Sequence, residues 1–364
     1  MSRRPVVLAA LVLATVVATA LPSSASYEPA RTVRGCAGSI KMAAVGGGTL
    51  WGATSCASQP VIQVVTGRPG GTWRHLTTPW SGRVLAVADD GSTTFVVWTD
   101  SRHHLQIGRR PHAGPASAPT QLSTQGDDVA LVARAGRWWA VWSESGCTNH
   151  LEGCSATLWQ AKSLGRGIRP ERVLAKADQV GTHDGSAGLA LRGDDAFLVF
   201  LRVDPDGYVI HYAKADLDGV WTDGLFAPSV AASSPFRAAI TVAGERVIVG
   251  WVSNQLPMVS VQNGSGDFVT YPLPHRAQTA DVQVAASGGR AFVGHTSCFQ
   301  YRGGSTCRTY VSTLTADGTV TGTTELSAGT GDHTLWGLED LVAAGGVATA
   351  AVSTASALVA RSGF

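Results

Sequence analysis

One unit recurs seven times along this chain: a short apolar run, a turn rich in Gly or Asp, and a second apolar run ending near an aromatic. The copies begin Ile40-KMAAVGGGTLWGAT, Val84-LAVADDGSTTFVVWTD, Val129-ALVARAGRWWAVWSES, Ala187-GLALRGDDAFLVFLRVD, Ala238-AITVAGERVIVGWVS, Val282-QVAASGGRAFVGHTS and Leu341-VAAGGVATAAVST. Ala53, Trp98, Trp142, Phe200, Trp251, His295 and Val352 hold equivalent places, at steps of 45, 44, 58, 51, 44 and 57 residues. Each copy reads as a β-hairpin. The runs are continuously apolar or alternate, as in sheets covered on both faces, and the turns carry residues that tolerate positive φ. A third and fourth strand follow most hairpins, as in His211-YAKADLDGVWTD and Tyr310-VSTLTADGTVTG. Four strands every 40–50 residues is the period of a propeller blade. The expectation is an all-β fold, a β-propeller of about seven four-stranded blades, with six as the alternative count.

The last copy has room for only three strands before Phe364. Residues Tyr27 to Arg34 precede the first hairpin, so they are expected to supply the missing outer strand and remove an open sheet edge. Leu341 to Ala360 is an uncharged stretch of twenty residues, long enough to cross a membrane. Its Gly, Ser, Thr and Ala content gives a weak transfer energy. It also matches the other hairpins at its Gly-Gly turn, so it is read as the last blade, with a membrane anchor as the alternative.

Arg3 and Arg4, the uncharged run Val6 to Leu21, and the small residues Ser23-Ser24-Ala25 form the three parts of a secretory signal. Residues 1–25 are therefore expected to be a signal peptide, and 26–364 a single secreted, extracellular propeller domain without a membrane span. Loss of Arg3 and Arg4 leaves 26 basic and 26 acidic residues. A chain of zero formal charge without a Lys/Arg run lacks the footprint that neutralises phosphates, which argues against nucleic acid as a partner.

Six cysteines in a secreted chain point to disulfides. Their spacing pairs them locally as Cys36–Cys56, Cys147–Cys154 and Cys298–Cys307, the last two in loops between second and third strands. No Cys-x-x-Cys is present. His103-His104 lacks helical ligand spacing, and the Asp-x-Asp-Gly stretches at Asp204 and Asp216 are too short for a twelve-residue calcium loop. No metal and no cofactor is expected.

In a propeller the starts of the first strands and the loops between strands two and three open on one rim, and such loops tend to carry function. First-strand starts place Asp127, Asp128, His183, Asp184, Arg237, Asp281, Trp336, Glu339 and Asp340 there. The loops between strands two and three place Asp100, Arg102, His103, His104, Glu144, Arg202, Asp204, Phe299, Tyr301 and Arg302 there. Carboxylates accept from hydroxyls, arginine forks bind carboxylates, and aromatic rings stack on apolar sugar faces. Asp128, Asp184 and Asp281 are expected at equivalent blade positions. The ligand-binding candidates are Asp128, Asp184, Arg237, Asp281, Glu339, Asp340, Arg102, Arg202, Tyr301, Arg302 and Trp336.

Thr66-Gly-Arg68-Pro-Gly70-Gly-Thr72-Trp73 lies in a turn between third and fourth strands, and Asp216-Leu-Asp218-Gly219-Val-Trp221 in another. The first resembles the Ser/Thr-x-Asp-x-Gly-x-Thr-Trp box of the secreted sialidase-like propellers, with Arg68 in place of the aspartate. The second keeps an aspartate and the tryptophan with the glycine displaced. The resemblance implies a propeller in which each box is a folding element, its carboxylate tying the turn and its aromatic packing between sheets. For an enzyme it would imply exo-sialidase-like glycoside hydrolysis. The family's early aromatic-Arg-Ile-Pro motif is missing, and Phe236-Arg237-Ala-Ala-Ile is mid-chain without the proline. The expected function is a monomeric secreted module binding a glycan or other small ligand at the channel mouth. The alternatives are a sialidase-like hydrolase and a protein-interaction scaffold.

Overall fold

The computed structural model describes residues 30–45, 48–145, 156–163, 170–173, 187–204, 207–216, 221–225, 238–274, 278–301, 304–315, 317–326, 337–354 and 357–363. A short strand, β1 (Arg31–Arg34), comes first and belongs to the last blade. Blade 1 is β2 (Gly38–Val45), β3 (Thr49–Cys56), β4 (Val61–Gly67) and β5 (Arg74–Ser81). Blade 2 is β6 (Arg83–Asp89), β7 (Thr93–Thr99), β8 (Leu105–Pro111) and β9 (Thr120–Ser123). Blade 3 is β10 (Asp127–Arg134), β11 (Arg137–Ser145), β12 (Ala156–Lys162) and β13 (Glu171–Arg172). Blade 4 is β14 (Ala187–Arg192), β15 (Asp195–Asp204), β16 (Gly207–Asp216) and β17 (Thr222–Leu225). Blade 5 is β18 (Ala239–Ala243), β19 (Arg246–Ser253), β20 (Leu256–Gln262) and β21 (Phe268–Pro272). Blade 6 is β22 (Gln278–Ser287), β23 (Arg290–Tyr301), β24 (Gly304–Leu314) and β25 (Val320–Glu325). Blade 7 holds β26 (Gly337–Ala344), β27 (Val347–Ser353) and β28 (Leu358–Ser362).

All seven sheets are four-stranded and antiparallel, and the count of seven stands. The order β1-β28-β27-β26 closes the ring as the sequence suggests, with Arg31 opposite Ala360 and Arg34 opposite Leu358. The described residues of the stretch Leu341 to Ala360 thus belong to the paired strands of blade 7 and their turns, and no helix among the described residues is long and apolar enough to cross a membrane.

The apolar side chains do not form one central core. Among the described residues they form seven clusters, each shared by two neighbouring blades. Trp51, Ile62 and Val64 of blade 1 meet Val84, Val96 and Trp98 of blade 2. Val33, Val342 and Leu358 of blade 7 meet Ile40, Met42 and Leu50 of blade 1. A sheet wedged between two others must be apolar on both faces, which is why the second strands read as unbroken runs such as Phe95-Val-Val-Trp98. The seven equivalent positions from Ala53 to Val352 are all buried. Where blades approach closely a side chain is excluded. A Cβ on Gly250 of β19 would lie 2.6 Å from both Val282 and Val284 of blade 6.

The hairpin turns behave as their residues require. Gly345 and Gly346 both take positive φ, at 60° and 77°, as a two-residue turn matched to strand twist needs. Ala135-Gly136 does the same at 50° and 76°, with the alanine accepting the strain.

Two disulfides form as expected, Cys36–Cys56 and Cys298–Cys307. The second is not in a loop, however. Cys298 and Cys307 are register partners inside the β23–β24 ladder, which runs on to Tyr301 opposite Gly304. Cys147 and Cys154 lie outside the described residues.

The turn residues between third and fourth strands work as local ties. Trp73 packs into the cluster between blades 7 and 1, and Trp221 is buried beside Trp139 of blade 3, ring centroids 4.9 Å apart. Arg68 is exposed, and the backbone closes its turn instead, Gly71 N–H donating to Arg68 O at 2.9 Å. In blade 6, Asp317 accepts from the Thr315 hydroxyl and from Thr319 N–H.

Candidate ligand-binding face

Antiparallel order fixes what each rim carries. Inner strands start, and second strands end, on one rim. The hairpin turns between first and second strands lie on the other. At the first rim a cavity of about 230 Å3 occupies the axis of the ring, lined by residues from the inner strands of all seven blades. Alternation along β2 and β6 sends Ser39 and Lys41, then Arg83, Leu85 and Val87, toward it. Asp128, Gln283, Glu339 and Asp340 complete its polar part, while Val129, Leu131, Leu189 and Ile240 supply an apolar wall.

An innermost strand has a ladder partner on one side only, so its outward amides need other acceptors. Neighbouring blades supply them. Val84 N–H donates to Ser55 Oγ of blade 1 at 3.2 Å, and Ser39 Oγ donates to Val84 O at 2.7 Å. Leu338 N–H donates to Thr296 Oγ1 of blade 6 at 3.1 Å. Met42 N–H of blade 1 donates to Asp340 Oδ2 of blade 7 at 2.6 Å, and Leu341 N–H to Asp340 Oδ1 at 2.9 Å. Lys41 Nζ donates to Glu339 O across the same seam. The register slips at Val84/Ala86, Asp127/Ala130, Thr279/Asp281 and Leu338/Asp340, a bulge near the start of four inner strands.

The expected candidates separate on this frame. Asp128, Glu339 and Asp340 reach the cavity. Asp128 sits within its bulge at φ 51° and accepts from Ser143 Oγ at 3.3 Å. Asp281 is half-buried and pairs with Thr296, one residue past His295, a place held in blade 3 by Asp127, which pairs with Ser143, one residue past Trp142. Asp128 and Asp281 are therefore not register equivalents, contrary to the sequence alignment. The extra residue in each bulge shifts the count.

Arg102 is exposed in the β7–β8 turn and is not among the residues around the cavity. Its amide, with those of His104 and the Gln106 side chain, donates to Asp100. Burial works against the Asp100 carboxylate, but these donors outweigh it and hold its pKa below the usual range. Arg202 and Tyr301 fall within β15 and β23 rather than in loops, as do Asp204 and Phe299. Asp184, Arg237, Arg302 and Trp336 lie outside the described residues. Lys41 and Arg83 were missed. The signal for Lys41 was the i, i+2 alternation inside β2, while Arg83 opens β6 one residue before the start read from the repeat.

No protein-family model matches the chain, and no curated protein sequence matches it. Solved structures do. The BP39L lectin of Burkholderia pseudomallei superposes with a TM-score of 0.62 at 15% identity, over 90% of this chain and 96% of the lectin. The Aleuria aurantia lectin, solved with alpha-methyl-L-fucoside, gives 0.52 at 11% identity over 83% of this chain and 99% of that one. The subtype N11 neuraminidase-like protein of A/flat-faced bat/Peru/033/2010 (H18N11) gives 0.50 at 7% identity, over 91% and 88%. At these identities the likeness is one of fold. The propeller is common to all of them, and it hosts both lectins and a neuraminidase-like protein.

Proposed function

We propose that this chain is a secreted carbohydrate-binding propeller that holds a sugar at the mouth of its axial channel. The observation that carries the reading is the mixed lining of the axial cavity, where Arg83, Lys41 and Asp128 stand beside an apolar wall from Val129, Leu131 and Leu189. Sugars present donors and acceptors on their rims and apolar C–H faces between them, and such a lining answers both. A cavity of about 230 Å3 lies below the ~300–1,000 Å3 of drug-sized sites and suits one sugar unit at a chain end. The fold likeness to two lectins supports the same reading. The two disulfides accord with an oxidising compartment, and the N-terminal signal pattern supports export.

Binding is favoured over hydrolysis by how the carboxylates are used. Hydrolysis of a glycosidic bond takes two carboxyl groups facing the scissile bond. Asp340 gives both oxygens to backbone amides of the blade 7–blade 1 seam.

The test is a mixed glycan library incubated with the mature protein, read by mass spectrometry for retention and for chemical change. Retention of intact glycans is expected, weakened about tenfold or more by Arg83→Gln or Asp128→Asn, a loss of ~1.4 kcal/mol or more. Asparagine tolerates the left-handed backbone at 128, so the second variant tests the charge alone. New cleaved products would overturn the binding reading in favour of a hydrolase. Retention unchanged by both variants would move the site away from the channel mouth.

A further inference from the structure

A second cavity, of about 360 Å3, lies on the opposite rim between blades 3 and 4. Its floor is apolar and its edge is cationic. Val132 of β10, Leu191 of β14 and Trp139 of β11 form the floor. Arg134, Arg137 and Lys162 surround it against a single carboxylate, Asp194. In a mature chain of zero formal charge, three cations to one anion around one hollow is a local concentration of charge, not a background.

The site is also held in shape. Trp139 is buried, and its indole N–H donates to Gln160 Oε1 at 2.9 Å. Trp221, just before the fourth strand of the next blade, donates to the same oxygen at 2.9 Å. The Trp139 N–H is thus committed inward, and its ring is buried against Trp221 beneath the hollow. Lys162, also buried, sets its ammonium 3.9 Å from the centre of that ring. Trp138 N–H donates to Ser163 Oγ at 2.8 Å, fixing the ends of β11 and β12 together. Arg134 reaches across the seam to Gly193 O, and its guanidinium lies 3.5 Å from Asp194. More than half of the Arg134 side chain and most of Asp194 remain exposed, so this part of the edge is open to an entering group.

We infer that this hollow between blades 3 and 4 binds a small carboxylate carried on a ring with an apolar face, the ring seated against Val132 and Leu191 and the carboxylate between Lys162, which stands on the Trp139 ring, and the Arg134/Arg137 edge. An anion is favoured there because it meets ammonium and guanidinium groups that are partly desolvated by the blade wall. A flat or apolar-faced body is favoured because the floor offers no hydrogen-bond donor from Trp139. Two sources carry that chemistry, an acidic sugar and an aromatic acid. The inference does not rest on the sugar site at the channel mouth, which lies on the other rim.

The test is calorimetric titration of the mature protein with glucuronate, benzoate and, as the neutral control, glucose. Glucuronate or benzoate is expected to bind, and glucose to bind at least about tenfold more weakly, since removing the charge forfeits a charge-assisted contact. Binding of glucuronate alone identifies an acidic sugar as the source, and of benzoate alone an aromatic acid. Arg137→Gln, at an exposed position, leaves the fold intact and is expected to weaken binding several-fold, with Lys162→Met weakening it further. Arg83→Gln, at the channel mouth, is expected to leave this affinity unchanged, so failure here and failure of the mouth reading are separable. Equal binding of glucose and glucuronate, an effect of Arg83→Gln matching that of Arg137→Gln, or no heat from either acid at millimolar concentration would each overturn the inference.

Discussion

The amide seams between blades lead to a sharp test at Thr296. Its hydroxyl accepts Leu338 N–H at 3.1 Å, and both residues are about 95% buried. Replacement by valine keeps the volume and β-branching of the side chain, so no cavity opens and no strand preference is lost. What changes is one acceptor. The Leu338 amide is then buried without its partner, at a cost of ~1–3 kcal/mol. Thr296 Oγ1 also lies 3.5 Å from Thr309 Oγ1, and that contact is lost too. Part of the penalty is offset by the added methyl, ~0.8 kcal/mol at most. A net loss of ~1–2 kcal/mol is expected. With a urea slope of ~3 kcal/mol/M for a chain of this size, the midpoint falls by about 0.3–0.7 M. Thr296→Ser retains the acceptor, as Ser55 does at the blade 1–blade 2 seam, and loses only a methyl group. The ordering wild type, then serine, then valine is therefore expected. Amide exchange sharpens the test, because Leu338 should lose protection in the valine variant by more than its neighbours do. A valine variant as stable as the serine variant, with Leu338 exchange unchanged, would refute the view that these hydroxyls close the seams.

Two further outcomes follow from packing and ionisation. Gly250→Ala should destabilise by ~1–3 kcal/mol through the 2.6 Å approach to Val282 and Val284, although alanine is otherwise favoured over glycine in a strand. A compensating Val282→Ala, checked by urea melts, should recover part of that loss if the clash is the cause. Tyr212 has its pKa pushed up to about 12, chiefly by burial, with Arg192 pulling the other way. The unfolded chain releases this proton near pH 10 while the folded one keeps it, so stability is full below pH 10 and declines as pH rises toward 12. Unfolding midpoints measured from pH 9 to 11.5 should show that decline in wild type and a shallower one in Tyr212→Phe.

Most of the architecture was readable because a propeller repeats its local rules. Each hairpin pairs runs apolar on both faces through a turn such as Gly345-Gly346, and seven such units forecast seven sheets and a missing outer strand. Periodicity was blind to two things. It placed the ends of β15 and β23 in loops, because Arg202-Val-Asp204 and Cys298-Phe-Gln-Tyr301 are polar or mixed. The ladders nonetheless run through them, held in blade 6 by the Cys298–Cys307 bridge. It also missed the bulges, since a single inserted residue leaves the hydrophobic pattern almost unchanged while shifting which residue faces the axis. Asp128 and Asp281 were aligned for that reason.

Those bulges separate the acidic residues of the mouth by task. Asp340 stands at the one seam where the first and last blades meet, and its two oxygens each accept a backbone amide. Lys41 spans the same seam to Glu339 O. At the blade 1–blade 2 and blade 6–blade 7 seams a hydroxyl accepts the next blade's amide, from Ser55 and from Thr296. A carboxylate makes a stronger acceptor than a hydroxyl, and it sits where closure joins the two ends of the chain. Asp340 is thus tied to holding the ring closed, and its replacement should be read in stability before it is read in binding. Asp128 accepts from Ser143 Oγ within its own blade at 3.3 Å. If the proposed sugar site is at the mouth, Asp128 and Arg83, which both line the axial cavity, are the pair at which substitution tests it.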